Sequence, residues 1–274
     1  MNPASNSQIS ENRAIVVFDI DGVIRDVGGS YRRALADTVE EWTGYRPTPE
    51  DIDRLKAEGT WNNDWEASQE FVYRYWEQQG KDRSSVGLDY DAIVAFFQSR
   101  YRGEDPENPQ NWTGYICQEP ILASPEYFQS LDEAGMLWGF FSGATRGSAT
   151  YILEKRLGLN APVLVAMEDA PGKPDPTGLL ATVSQLEGDT AEGLMLPVFY
   201  AGDTVADLYT VREAARRCPE RRWIGIGILP PHVLETPQRQ ADYEELLRKA
   251  GAAIVLTNIE ALNGEEIVAI LGTN

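Results

Sequence analysis

Histidine occurs once, at His232, and cysteine twice, at Cys117 and Cys218, in a chain of 274 residues. Two distant cysteines provide neither a disulfide framework nor the spacing of a zinc site. His232 follows Pro230-Pro231 and has no identifiable partners for a triad or proton shuttle, so it reads as a structural or exposed residue. Positive charge is also scarce: 24 Lys and Arg stand against 43 Asp and Glu, a net charge of −19. Such a chain lacks the general basic surface that binds nucleic acid or an anionic membrane. No apolar run reaches membrane-spanning length. The first residues, MNPASNSQISEN, have neither the basic region nor the apolar core of a secretory signal. The expectation is a soluble, cytoplasmic protein. Its acidity leaves room for a phosphorylated ligand only where a local cation offsets it: a metal, a lysine or a helix N-terminus.

Apolar residues make up 42% of the chain, enough for a real core, and the length exceeds that of a usual single domain. The rest of the sequence is organised around AIVVFDIDGVI, residues 14–24. Ile15, Val16, Val17 and Phe18 form a short β-rich apolar run, the pattern of a central strand covered on both faces. It ends at Asp19, and Asp21 and Gly22 follow. Two carboxylates mid-strand in a core would need strong compensation. At the C-terminal end of a parallel strand they would instead lie in the crevice where open α/β sheets bind ligands. The i, i+2 spacing points both side chains the same way in extended backbone, and Gly22 permits a sharp exit.

After a polar arm (residues 1–12) and this strand, Gly28-Gly29 forms a flexible joint, and the pattern turns helical and aromatic from Ser30 to about Arg102. Ser30 and Thr48-Pro49-Glu50-Asp51 read as helix starts. Residues 60–65 read as a loop, followed by helices over residues 71–79 and 90–101. Residues 103–114, rich in Pro and Gly, make a return linker. From Ser124 the chain alternates helix and strand, with strands expected at residues 136–141, 163–166, 198–201, 223–229 and 253–256. That alternation predicts a doubly wound, Rossmann-like parallel sheet with an α-helical insert.

Each candidate functional residue falls where an expected strand gives way to a loop. In a parallel sheet those ends share one edge, so Asp19, Asp21, Asp203 and Asp207 would meet. Four neighbouring carboxylates need neutralising, and Mg²⁺ typically binds through few carboxylates plus substrate phosphate. Lys173, in Gly172-Lys173-Pro174, supplies a positive charge for a phosphate. The Ser142 hydroxyl and Gly143 amide can donate to phosphoryl oxygens.

The series Asp19-Ile20-Asp21-Gly22-Val23, strand-Ser142, Lys173-Pro174 and Gly202-Asp203-x-x-x-Asp207 resembles the four motifs of the haloacid dehalogenase-like superfamily. The insert after the first motif is similar to the helical cap of its phosphoglycolate phosphatase and β-phosphoglucomutase-like branch. The resemblance implies a core of residues 1–27 and 121–274 and a cap of residues 28–120. It implies Asp19 as nucleophile, Asp21 as general acid and base, and Ser142 and Lys173 as holders of the phosphoryl group. Mg²⁺ would bind Asp19, Asp203 and the Asp21 main-chain carbonyl, with Asp207 a direct ligand or one step behind. Val23 stands where Thr is frequent in that family, and Arg25-Asp26 where many members have Val-Asp or Thr-Asp.

The implied activity is Mg²⁺-dependent hydrolysis of a small phosphorylated metabolite, sugar-phosphate-like or phosphoglycolate-like, through an aspartyl phosphate. The alternatives are a phosphomutase using the same intermediate and a non-catalytic binding protein on the same fold. No nucleic-acid or membrane partner is expected, and the chain would be a monomer or homodimer. For specificity, Trp61, Asn62, Asn63 and Asp64 could stack on and bond a sugar-like group from the insert, with Arg25 and Tyr31 next in line. Alternatively, the tryptophans pack the insert's own core.

Overall fold

A computed structural model describes residues 13–61, 63–188 and 195–273. The polar arm of residues 1–12 and Asn62 lie outside them. Six parallel strands form one sheet: β1 (Ala14–Phe18), β2 (Met136–Phe141), β3 (Leu164–Val165), β4 (Val198–Gly202), β5 (Trp223–Ile228) and β6 (Ile254–Leu256). Their order is β3-β2-β1-β4-β5-β6. β1 therefore sits centrally, with Phe18 opposite both Phe140 and Ala201. All five of its residues are buried, and strand alternation divides them between two layers. Val16 and Phe18 join the larger core, while Ile15 and Val17 face the helices on the other side. This is the doubly wound α/β architecture the alternation predicted. The chain runs outward from β1 through β2 to β3 and returns to β4, so the order reverses beside β1, where such sheets place their ligand crevice.

Between β1 and the next sheet helix lie four helices: α1 (Tyr31–Thr43), α2 (Pro49–Lys56), α3 (Asp64–Gln78) and α4 (Tyr90–Tyr101). Thr48 caps α2 in a reciprocal box with Asp51, with Pro49 in the first turn. The Tyr31 ring meets the rings of Phe97 and Tyr101 edge-on at 5.2 and 4.6 Å, and these residues join the larger core beneath the sheet. The chain leaves and re-enters the sheet layer side by side. The Leu122 amide donates to the Ile24 carbonyl at 2.8 Å, and the Asp26 amide to the Pro120 carbonyl at 2.9 Å.

The remaining helices are α5 (Pro125–Glu133), α6 (Arg146–Thr150), α7 (Thr177–Glu187), α8 (Val205–Arg217), α9 (Pro237–Ala250) and α10 (Gly264–Gly272). α6 continues as a π-helical turn over Tyr151–Arg156. Two helices begin earlier than the sequence pattern suggests, which places them over residues 71–79 and near residues 243–250. α3 starts at Asp64 because Asn63 accepts a bond from the Trp65 amide and caps it. α9 starts at Pro237 because Thr236 caps it. In both, the capping residue sits in a polar stretch without helical periodicity. No helix among the described residues is long and apolar enough to cross a membrane.

Candidate active site

Asp19 continues directly from β1. Its amide donates to the Ala201 carbonyl at 2.9 Å, so the strand pairing still fixes its backbone as its side chain enters the crevice. Asp203 follows β4, the neighbouring strand, and Asp207 lies in the first turn of α8. Carboxylate oxygens from Asp19, Asp203 and Asp207 lie within 4.8 Å of one another. Two glycines permit this approach: a Cβ on Gly22, whose φ is +73°, would collide with the Asp203 carboxylate, and one on Gly202 would collide with that of Asp207.

Lys173 enters from the loop after β3, beside a cis Lys173-Pro174 bond. Its Nζ lies 2.9 Å from Asp19 Oδ1 and 2.6 Å from Asp207 Oδ1. Burial opposes its charge, but the two carboxylates outweigh burial and hold the ammonium well above its ordinary range. Asp207 is fully buried, and both its oxygens are engaged. Oδ1 meets Lys173 and the Tyr200 hydroxyl (3.0 Å), and Oδ2 accepts from the Thr204 amide (2.9 Å) and hydroxyl (2.6 Å). Burial works against its charge too, but Lys173 and Thr204 keep the carboxyl low. Asp207 is thereby an orienting partner for Lys173 as well as a member of the cluster.

Asp19 and Asp203 behave the other way. Burial is the main cause raising both, and the neighbouring carboxylates add to it; Lys173 offsets only part. Asp19 is pushed up to about 7. Carboxyls that resist ionisation together are what a hard cation relieves, and three converging oxygen donors suit such an ion. The residues present therefore fit a divalent metal.

Ser142 stands at the end of β2, buried, its amide bonded to the Val165 carbonyl and its Oγ accepting from the Ala144 amide at 3.1 Å. Gly143 is exposed, and a Cβ there would meet nothing. Asp21 lies at the rim, its side chain 29% exposed, held by Arg25.

Arg25 departs from the expectation that it contacts substrate. It is 0% exposed, and its guanidinium is engaged by Asp21, Glu119 and Tyr101. The specificity loop is also revised. Asn63 caps α3, Asp64 pairs with Lys56 at 2.7 Å, and the Trp61 indole donates to Glu58 at 2.9 Å, all within the helical segment. Trp61 and Trp65 pack against the main core, which favours the packing alternative. Asn62 lies outside the described residues. His232 is half-buried, its Nε2 3.6 Å from Asp53. Sequence reasoning missed Tyr200, which supports Asp207, and Tyr243, whose hydroxyl donates to the Asp203 carbonyl at 3.0 Å. For Thr204, the Thr-x-x-Asp spacing carried a capping signal; for the tyrosines no local pattern did.

A haloacid dehalogenase-like hydrolase family model matches residues 14–214, so the chain belongs to that family. Among solved structures, the phosphatase Tt82 from Thermococcus thioreducens is 22% identical, with a TM-score of 0.60, covering 77% of this chain and 92% of its own. A phosphonoacetaldehyde hydrolase-like protein from Oleispira antarctica is 16% identical, with a TM-score of 0.63, covering 99% and 96%. At these identities the likeness is one of fold. A protein of Phytophthora nicotianae named imidazoleglycerol-phosphate dehydratase is 29% identical over 251 residues, 88% of this chain. The chain spans about half the length of that relative.

Proposed function

We propose that this protein is a Mg²⁺-dependent phosphomonoesterase acting on a small phosphorylated metabolite through an aspartyl phosphate. The observation that carries the reading is Asp19 at the central strand end, with Lys173 2.9 Å away and Asp203 beside it. Asp19 attacks phosphorus, the bond to the leaving oxygen breaks with its electron pair, and Asp21 gives that oxygen a proton. Water then attacks the phosphoryl group and surrenders a proton to Asp21, and the bond to Asp19 breaks, restoring the Asp19 carboxylate and the protonated Asp21. Lys173, Ser142 and Gly143 hold the phosphoryl oxygens. Asp19, Asp203 and the Asp21 carbonyl would hold the metal, which when bound supplies charge neutralisation. Residues 28–120 act as a cap that covers the crevice, as in the phosphoglycolate phosphatase and β-phosphoglucomutase-like branch.

A narrower reading of the substrate comes from the Phytophthora relative. The half of that protein beyond the match is long enough for a second domain. Phosphomonoesters bearing an imidazole ring, after the name of that relative, therefore head the list to assay.

The test is phosphate release from a panel of phosphorylated metabolites with Mg²⁺. Asp19→Asn should abolish release, by at least about 10³-fold, with circular dichroism unchanged, because the amide cannot form the acyl phosphate. Excess chelator should do the same. Near-normal turnover in the variant would overturn the nucleophile, and full activity in chelator would overturn the metal.

A further inference from the structure

We infer that Arg25 is a positioning residue, holding the Asp21 carboxylate in place at the rim of the Asp19 site; the inference rests on the phosphatase reading above. The turn that follows Asp19 brings the two residues together. The Gly22 amide donates to the Arg25 carbonyl at 2.9 Å, the Arg25 amide to the Ile20 carbonyl at 3.1 Å, and Asp21 and Arg25 form a β-bridge. The Arg25 side chain, wholly buried, returns beneath Asp21 and places Nε and Nη2 each 2.6 Å from Asp21 Oδ1.

The other arm of the fork is anchored outside this turn. Nη1 donates to Glu119 Oε2 at 2.9 Å and to the Tyr101 hydroxyl at 2.7 Å. Glu119 lies on the returning crossing and also accepts from the Ser30 hydroxyl, while Tyr101 ends α4. An aspartate at a site rim otherwise turns freely about its side-chain bonds. Here one planar guanidinium fixes it against two elements distant in sequence, which a single ammonium cannot do. An ion cluster this deeply buried is not required for stability, since apolar residues of similar volume commonly serve as well. A carboxylate that must meet the leaving oxygen in a fixed position does require such a partner.

The experiment compares kcat/KM for phenyl phosphate and 4-nitrophenyl phosphate at saturating Mg²⁺. This ratio reports the steps through aspartyl-phosphate formation. Phenolate is a poor leaving group and needs the proton from Asp21, whereas nitrophenolate leaves as the anion. Arg25→Lys should lose roughly tenfold to hundredfold on phenyl phosphate, within the range of general-acid effects, and at most about threefold on 4-nitrophenyl phosphate. The double variant Arg25→Met, Glu119→Gln, which leaves no buried charge unpaired, should show the same selectivity, as should Asp21→Asn. Thermal melts confirm that each variant is folded. Equal losses on both esters, or none on either, would overturn the positioning role while leaving the phosphatase reading intact. Wild-type protein that releases phosphate from neither ester nor from any metabolite of the panel would overturn both.

Discussion

Asp19 carries a raised proton affinity as well as a position. Burial, with Asp207 and Asp21 nearby, pushes its carboxyl up to about 7, against the partial relief given by Lys173. The folded state thus binds a proton here that the unfolded chain has released. The associated stability is full below the ordinary carboxylate value and is lost as pH rises through about 7. A divalent cation bound by the cluster takes the proton's place, and protons compete with it. Mg²⁺ is therefore expected to raise Tm by several degrees near pH 8 and by clearly less near pH 5.5, measured by calorimetry on chelator-treated protein. An equal or larger shift at the acid end would mean that the cation binds elsewhere.

Helix starts decide what two of the candidate side chains can do. Asp207 is the third residue of α8 and closes a reciprocal box with Thr204, so the same contacts that begin the helix aim this carboxylate at Lys173. Asn63, expected on a specificity loop, begins α3 instead. Asn63→Ala should cost about 1 kcal/mol of stability through the lost cap. Asn63→Ser keeps a capping oxygen and should recover most of it. Chemical denaturation and steady-state kinetics on the two variants separate the roles. If KM for the true substrate rises in both while stability falls in neither, Asn63 contacts substrate and the capping account is wrong.

The helical segment meets the rest of the fold at more than its two chain crossings. Beyond β2, Arg102 Nη2 donates to the Thr145 and Ser148 hydroxyls at 2.7 and 3.1 Å. On the other side, Asp53 of α2 pairs with Arg32, with Arg239 of α9 at 2.9 Å, and with His232 at 3.6 Å. Burial opposes the charge on Asp53, yet His232 and Arg32 hold the carboxyl well below its usual range. That stabilisation is present above the ordinary carboxylate value and fades as pH falls below it. Asp53→Asn should loosen the segment: proteolytic cleavage within residues 28–120 is expected to quicken several-fold at neutral pH, with the circular dichroism spectrum retained. Unaltered protection would show that the α2–α9 contacts do not hold the segment down.

The sequence by itself determined the central strand, the alternating architecture and the convergence of Asp19, Asp203, Asp207 and Lys173. These follow from local rules: an apolar β-rich run ending in polar residues, helices between strands, and a parallel sheet that collects strand ends at one edge. The start of α3, the burial of Arg25 and the supporting roles of Tyr200, Glu119 and Tyr101 were decided only by the tertiary structure. The physical reason is range. Arg25 reads from the sequence as a candidate substrate contact four residues after Asp21, and nothing near it in sequence announces Glu119, 94 positions on, or Tyr101, 76 positions on. A buried charge is defined by the partners the fold brings to it, and those partners become visible only once the chain has closed its long crossing out through α1–α4 and back.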